Sequence, residues 1–166
     1  MRPRRWGLAV GILVSALTLI GIRQLEAPLI LYPASTSLPK ALYFQTFGEI
    51  KIGKIVAFPV PEAARHYQAQ RGGQSPEGFL FMKPVIAGPG DQVCNGHAGL
   101  ILNGNRQAVT AIHDHTGNPL PVWRGCRSLG QDEFFMVSDH AANSFDSRYF
   151  GPVKADAIVG VYEPVF

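Results

Sequence analysis

Short runs of β-branched and aromatic residues, separated by glycine and proline, constrain the fold of this chain more than any other feature. The 166 residues include 18 glycines and 13 prolines, and no long stretch repeats its apolar residues with the period of an amphipathic helix. Such runs predict a mainly β domain with antiparallel strands, either a barrel or a pair of packed sheets. The runs are residues 41–47, 54–60, 79–87, 100–103, 134–138 and 157–166.

The N-terminal segment predicts a membrane anchor. Three arginines within the first five residues precede an uncharged run of 16 residues, from Gly7 to Ile22. This run is shorter than the roughly 20 residues that cross a bilayer, but Trp6 and Arg23 at the two interfaces extend it. A cleaved signal peptide is the alternative, although a small-x-small cleavage site is poorly formed after the run. We expect residues 1–23 to be a cytoplasmic stub and one retained transmembrane helix, with residues 24–166 outside the cytoplasm.

The charge of the chain argues against nucleic acid as a partner. The formal net charge is +3, but without the four arginines of residues 1–23 the chain holds 11 basic and 12 acidic residues. Binding of nucleic acid requires a clustered basic face. A nearly neutral exported part therefore leaves this class of function without support.

Two cysteines are present, Cys94 and Cys126. An even count in a domain placed in an oxidising compartment predicts a disulfide between them. Their spacing does not fit a zinc site, and we expect no metal and no cofactor.

Two polar segments are expected at the surface. Residues 62–77 read as an excursion from the β domain, with a helical turn over residues 62–70. His113, Asp114 and His115 form a cluster that could bind a metal, but the polar and turn residues around them favour a solvated loop.

A tight hairpin turn is predicted at Asn103–Gly104.

Lys83 is the residue whose surroundings say most about chemistry, because it stands alone among the apolar residues of the run 79–87. A lysine that loses its solvation has a pKa up to several units below its ordinary value of about 10.4. A neutral lysine is a general base, and Ser35 and Ser37 upstream offer a nucleophile for it to activate. The alternative is a lysine at a strand edge that extends its ammonium into water.

Four blocks in fixed order resemble the signal peptidases of the serine/lysine dyad type, the S26 superfamily. They are residues 33–43, 51–58, 81–93 and 138–153. The first block is most similar to the conjugative transfer signal peptidases of the TraF type, whose serine block has the form SxPxGxY. Ser37, Pro39 and Tyr43 fill that frame, with Ala41 at the position of the usual glycine. A second departure is Pro84 after the lysine, where related enzymes often carry arginine.

The resemblance implies a role for each matching residue. Ser37 matches the nucleophile and Lys83 the general base, and Asp146 and Arg148 match the acidic box that supports the lysine. The backbone N–H of Ser37 would donate to the oxyanion, and two further hydroxyls would assist. These are Ser35, as a second oxyanion donor, and Ser144, as a hydrogen-bond partner that orients Lys83.

The resemblance implies a signal-peptidase-like catalytic domain on the periplasmic side of the inner membrane. The implied activity is that of a membrane-anchored serine endopeptidase that cuts exported precursors after small residues. The TraF-type blocks favour maturation of a conjugative pilin subunit, a reaction that some family members couple to cyclisation. General removal of signal peptides is one alternative. The other is an inactive periplasmic β domain that binds a secretion partner.

Overall fold

The computed structural model describes residues 27–70, 78–96, 98–141 and 143–165. The predicted anchor lies outside these residues. No helix within the described ranges is long and apolar enough to span a bilayer.

The described residues form strands that pair antiparallel throughout, in two sheets. The larger sheet has the order β1-β2-β11-β3-β4-β9-β10, and the smaller has the order β7-β6-β5-β8. The strands are β1 (Ile30–Leu31), β2 (Leu42–Thr46), β3 (Ile55–Pro59), β4 (Leu80–Ala87), β5 (Gln92–Gly96), β6 (Gly99–Leu102), β7 (Asn105–Ala108), β8 (Gly125–Ser128), β9 (Glu133–Met136), β10 (Val153–Lys154) and β11 (Gly160–Val165). The mainly β, antiparallel prediction is confirmed. The barrel is not closed, because the larger sheet ends at β1 and β10.

Helical structure is limited in the described ranges. It comprises α1 (Glu62–Gln70), α2 (Ser147–Phe150) and a 3-10 turn at Ala155–Ala157. The predicted helical turn at residues 62–70 is therefore confirmed. The expectation that this segment is only a surface excursion is wrong for Ala64 and Tyr67, which are buried.

Strand β9 lies between two hydrophobic clusters. Successive side chains of a strand point to opposite faces, so Phe134 and Met136 pack in one cluster with residues of β3 and β4. Phe135 packs in the other, with Val93 and Leu100 of the smaller sheet. One strand thus joins the cores of the two sheets.

Two local predictions hold in the smaller sheet. Asn103 and Gly104 connect β6 to β7 with φ values of 48° and 79°, the left-handed conformation that a tight hairpin turn requires. The predicted disulfide is present: Cys94 of β5 and Cys126 of β8 lie directly opposite each other and are bonded. The disulfide therefore ties two neighbouring strands of this sheet.

The aromatic side chain of Tyr67 joins α1 to the rest of the domain. Its ring stacks on Phe145, with ring centroids 5.1 Å apart. Its hydroxyl donates a hydrogen bond of 3.0 Å to Oδ2 of Asp114. His113 and His115 on either side are exposed, as expected of a solvated loop.

Candidate active site

The segment that carries Ser37 is a series of turns between β1 and β2. Lys40 Nζ donates a hydrogen bond of 2.8 Å to the carbonyl oxygen of Pro33. The hydroxyl of Tyr43, a fully buried residue of β2, donates to the carbonyl oxygen of Pro39 at 3.1 Å. These two bonds fold the segment back on itself and leave Ser37 only 6% exposed.

Lys83 lies on β4, a strand in the middle of the larger sheet. It is opposite Val56 of β3 and is 4% exposed, so the alternative of a lysine that reaches water from a strand edge is wrong. On the other side of β4, pairing with β9 begins at Val85, and the register shifts between Val85 and Ala87. Pro84 immediately precedes this pairing, and its carbonyl oxygen accepts a hydrogen bond of 3.3 Å from the backbone N–H of Val137. At the end of the paired stretch, its missing N–H costs the sheet little.

The amine of Lys83 is hydrogen-bonded to a buried serine. Nζ donates to Oγ of Ser144 at 3.0 Å. Burial lowers the pKa of Lys83 from 10.5 to about 8, an effect that the carboxylate of Asp146 opposes and the guanidinium of Arg148 strengthens. Neutral Lys83 is therefore accessible close to neutral pH.

Asp146 and Arg148 form a buried ion pair next to this lysine. Nε and Nη2 of Arg148 donate to Oδ1 and Oδ2 of Asp146, each at 2.8 Å, which is the two-point geometry that makes arginine–carboxylate pairs strong. Nη2 also donates to the carbonyl oxygen of Ser144 at 3.1 Å, and Nη1 donates to that of Val109. The arginine thus fixes the backbone that carries Ser144, the partner of Lys83.

Ser35 lies beside the predicted nucleophile. Its Oγ donates to Oγ of Ser37 at 3.1 Å and accepts a hydrogen bond of 3.3 Å from the backbone N–H of Ser37. The hydroxyl of Ser35 and the N–H of Ser37 are therefore close enough to meet one oxyanion.

Ser37 and Lys83 line the same cavity, which has a volume of about 490 Å³. They are not hydrogen-bonded to each other: within the described part of the chain, Oγ of Ser37 contacts Ser35 and Nζ of Lys83 contacts Ser144. The other walls are the turn segment before Ser37, the first half of β4, and two side chains that follow β9. These walls are residues 31–38, residues 78–83, Asn143 and Phe145.

The structure brings the six predicted site residues into one region, while Cys94 and Cys126 lie in the smaller sheet. It also shows two residues that the sequence reasoning missed. Phe145 lines the cavity, and Ser138 donates a hydrogen bond to the carbonyl oxygen of Ser37. Both lie in the 138–153 block, but nothing in the sequence separates them from its other members. In the described part of the chain, no three His, Cys, Asp or Glu side chains are grouped to hold a metal ion.

Comparisons with known proteins identify a family for this chain. The family described as "Signal peptidase, peptidase S26" matches residues 5–166. The plasmid transfer protein TraF of Escherichia coli is 34% identical over 138 residues, which cover 78% of each chain. Signal peptidase I V of Bacillus subtilis (strain 168) is 32% identical over 98 residues, 53% of this chain and 58% of that protein.

Among solved structures, a signal peptidase I from Enterococcus faecalis V583 aligns with a TM-score of 0.41 and 23% sequence identity. The alignment covers 70% of this chain and 98% of that one. The family match spans nearly the whole sequence and includes every predicted site residue. The chain therefore belongs to the S26 family of signal peptidases.

Proposed function

We propose that this protein is a membrane-anchored serine endopeptidase in which Ser37 is the nucleophile and Lys83 the general base. Membership of a signal peptidase family supports a hydrolase that acts on exported precursors. One observation carries the assignment of the two residues: a buried lysine with a pKa of about 8 and a serine hydroxyl line the same cavity.

The proposed reaction begins with the neutral amine of Lys83. It takes the proton of the Ser37 hydroxyl as Oγ attacks the scissile carbonyl, and the ammonium that forms then gives the proton to the leaving amine. As the oxyanion forms, the Ser37 N–H and the Ser35 hydroxyl exchange the hydrogen bonds between these two serines for hydrogen bonds to the oxyanion. Water then attacks the acyl-enzyme with Lys83 again as the base, and Lys83 returns the proton to Oγ of Ser37 as the acyl–oxygen bond breaks and the new carboxyl terminus leaves. Catalytic hydrogen bonds often tighten only when substrate binds, which is consistent with a Ser37–Lys83 pair that is not yet bonded.

The proposed role of Ser144 follows from its hydrogen bond with Lys83. One N–H of the amine is engaged by Ser144 Oγ at 3.0 Å, so the nitrogen is held in place and its lone pair is free to face Ser37. The ion pair of Asp146 and Arg148 keeps Ser144 in position through the Arg148 contact to the Ser144 carbonyl.

The proposed substrate lies in the cavity as an extended chain. The first half of β4 is paired with β3 on one side, whereas β9 pairs with β4 only from Val85 onward. The opposite edge of residues 80–83 faces the cavity, where a peptide can add as a further strand. Backbone hydrogen bonds would then supply affinity, with side-chain selection close to Ser37.

A conjugative pilin precursor is the substrate that we favour. Plasmid transfer protein TraF aligns with 78% of this chain, whereas signal peptidase I V aligns with 53%. We place residues 1–23 as the anchor and residues 24–166 on the periplasmic side of the inner membrane. Exposed apolar side chains of β1 and β2, among them Ile30, Leu42 and Phe44, support a catalytic domain held close to a membrane.

The test is cleavage of a prepilin and of a general secretory precursor by the full-length protein in detergent. The wild type should cut the prepilin. Ser37→Ala and Lys83→Ala should abolish cleavage while leaving the domain folded, because each removes one half of a unit that acts together. Cleavage by either variant at near the wild-type rate would rule out the proposed dyad, and a preference for the secretory precursor would favour the general signal peptidase.

A further inference from the structure

Ser138 follows β9 and makes two buried hydrogen bonds that meet at the candidate active site. Its hydroxyl donates to the carbonyl oxygen of Ser37, which is 101 residues earlier in the sequence. Its backbone N–H donates to Oδ2 of Asp146 at 3.3 Å. Ser138 is 3% exposed and does not line the cavity, so a substrate in the cavity does not meet it.

The backbone of Ser37 is held from both sides. Its N–H is bonded to Oγ of Ser35 at 3.3 Å, and its carbonyl is bonded to Ser138. Peptide units are planar, so fixing the unit before and the unit after a residue restricts both of its backbone dihedrals. The direction of the Cα–Cβ bond, and with it the reach of the Ser37 hydroxyl, is then set by these two contacts.

We propose that Ser138 is a positioning residue that holds the Ser37 nucleophile where its hydroxyl can reach the amine of Lys83. This inference rests on the proposed function, because it assumes that Ser37 reacts. Ser138 bonds the nucleophile segment with its side chain and the Asp146–Arg148 pair with its backbone. It therefore connects the element that carries the serine to the element that supports the lysine, through a residue that touches neither substrate nor reacting atoms.

The matched control is Ser147, a second buried serine of the same block. Its Oγ accepts a hydrogen bond of 3.0 Å from the backbone N–H of Met136, and it makes no described contact with Ser37. Ser138→Ala and Ser147→Ala each remove one buried hydroxyl next to β9. A purely structural role for Ser138 predicts the same effect on stability and activity from both changes.

The experiment uses the full-length protein in detergent and an internally quenched peptide with alanine before the scissile bond. Ser138→Ala should lower kcat by about 10- to 100-fold with little change in KM, since a small displacement of a reacting group has effects of this size. The midpoint of the pH profile should stay at the wild-type value, because alanine keeps the backbone N–H that bonds Asp146. Ser147→Ala should keep the wild-type kcat, and Ser138→Thr, which retains the hydroxyl, should recover most of the lost rate.

A second readout does not depend on activity. Hydrogen exchange of residues 33–40 should speed up in Ser138→Ala relative to both the wild type and Ser147→Ala, because the carbonyl of Ser37 has lost its tether. Wild-type kcat in Ser138→Ala, or equal losses in the two alanine variants, would overturn the positioning role. If the wild type cleaves neither peptide nor precursor, the proposed function fails. Unchanged hydrogen exchange of residues 33–40 in Ser138→Ala would reject the role of the Ser138–Ser37 contact, whether or not the wild type cleaves a substrate.

Discussion

The amine of Lys83 donates a hydrogen bond of 3.0 Å to the hydroxyl of Ser144, and both side chains are buried. This contact places the lysine nitrogen by means of a neutral group, so its charge is not neutralised by a direct ion pair. Burial can then dominate the pKa of Lys83 and lower it to about 8. A carboxylate bonded directly to the amine would instead favour the charged form and remove the base.

Activity should depend on pH through a single ionisation. Because only neutral Lys83 can accept the Ser37 proton, the rate should rise roughly tenfold per pH unit below a midpoint of about 8 and level off above it. Rates of peptide cleavage across mildly acidic to alkaline pH test this. The ionisation of a histidine could produce a similar rise in rate with pH. As a control, each histidine is replaced in turn: His66, His97, His113, His115 and His140. A flat profile, or a limb lost with one histidine, would contradict the assignment of Lys83.

Replacing Lys83 should stabilise the fold at neutral pH. Its pKa shift from 10.5 to about 8 corresponds to a cost of about 3 kcal/mol for keeping the charged form buried. The unfolded chain binds the proton more tightly, so wild-type stability rises with pH between about 8 and 10.5. Denaturant unfolding of Lys83→Met should show a gain at pH 7 that shrinks over this interval. The control is Lys154→Met, which replaces an exposed lysine and should show no such gain in stability. Absence of a gain in Lys83→Met at pH 7 would contradict the burial of Lys83.

Ser144→Ala should lower the maximal rate without moving the acid limb to higher pH. The variant removes the acceptor that fixes the Lys83 amine, and a base that is free to rotate spends less time facing Ser37. We expect a loss of about 10- to 100-fold in kcat, measured together with the pH midpoint. Ser144→Thr keeps the hydroxyl and serves as the matched variant. A midpoint raised towards the ordinary lysine value would show that Ser144 acts on the pKa and not on orientation.

The disulfide should contribute to stability and little to activity. Cys94 and Cys126 are separated by 32 positions, and closing a loop of this length stabilises the fold by roughly 3 to 4 kcal/mol in the chain-entropy model. The double variant Cys94→Ser with Cys126→Ser should therefore unfold at a lower temperature while keeping kcat, because neither residue lines the cavity. Mass spectrometry of alkylated wild-type protein checks the pairing, and two free thiols would refute it.

The aromatic contact of α1 should matter for stability in two separable parts. Tyr67→Phe removes only the hydroxyl that bonds Asp114 and should cost about 1 kcal/mol. Tyr67→Ala also removes the ring that stacks on Phe145, and large-to-small changes of this kind cost about 3 to 5 kcal/mol. Unfolding in denaturant separates the two, and equal losses would show that the stack contributes nothing.

Much of the larger sheet was predictable because its strands are apolar and β-branched. Each of the six apolar runs overlaps a strand, and Asn103–Gly104 forms the predicted turn. Five strands were not predicted: β1, β5, β7, β8 and β10. The strands β1 and β10 have only two residues each, and sequences such as NRQA and GCRS lack the alternation of a half-buried strand. They form because neighbouring strands supply the pairing that their composition does not indicate, and the disulfide additionally links β5 to β8.

The candidate site also contains residues that the sequence indicates and residues that it does not. Lys83 could be singled out because a charged residue inside an apolar run is conspicuous in any sequence. Ser138 could not, because its importance lies in a contact with Ser37 that only the folded chain creates. Tyr67 is a comparable case: it lies in a polar segment, and its burial depends on Phe145 and Asp114 from distant parts of the chain.

The pairing of β2 with β11 has a consequence for the order in which the larger sheet forms during biosynthesis. The strand that follows the Ser37 segment pairs, on its β11 side, with residues synthesised more than a hundred positions later; Thr46, for example, is 115 positions from Val161. At ordinary rates of translation this interval lasts roughly 5 to 20 seconds. Until β11 arrives, β2 and β3 lack the strand that lies between them in the larger sheet. The larger sheet, which carries Lys83 on β4 and the Ser37 segment before β2, is therefore complete only once residues 160–165 have been synthesised.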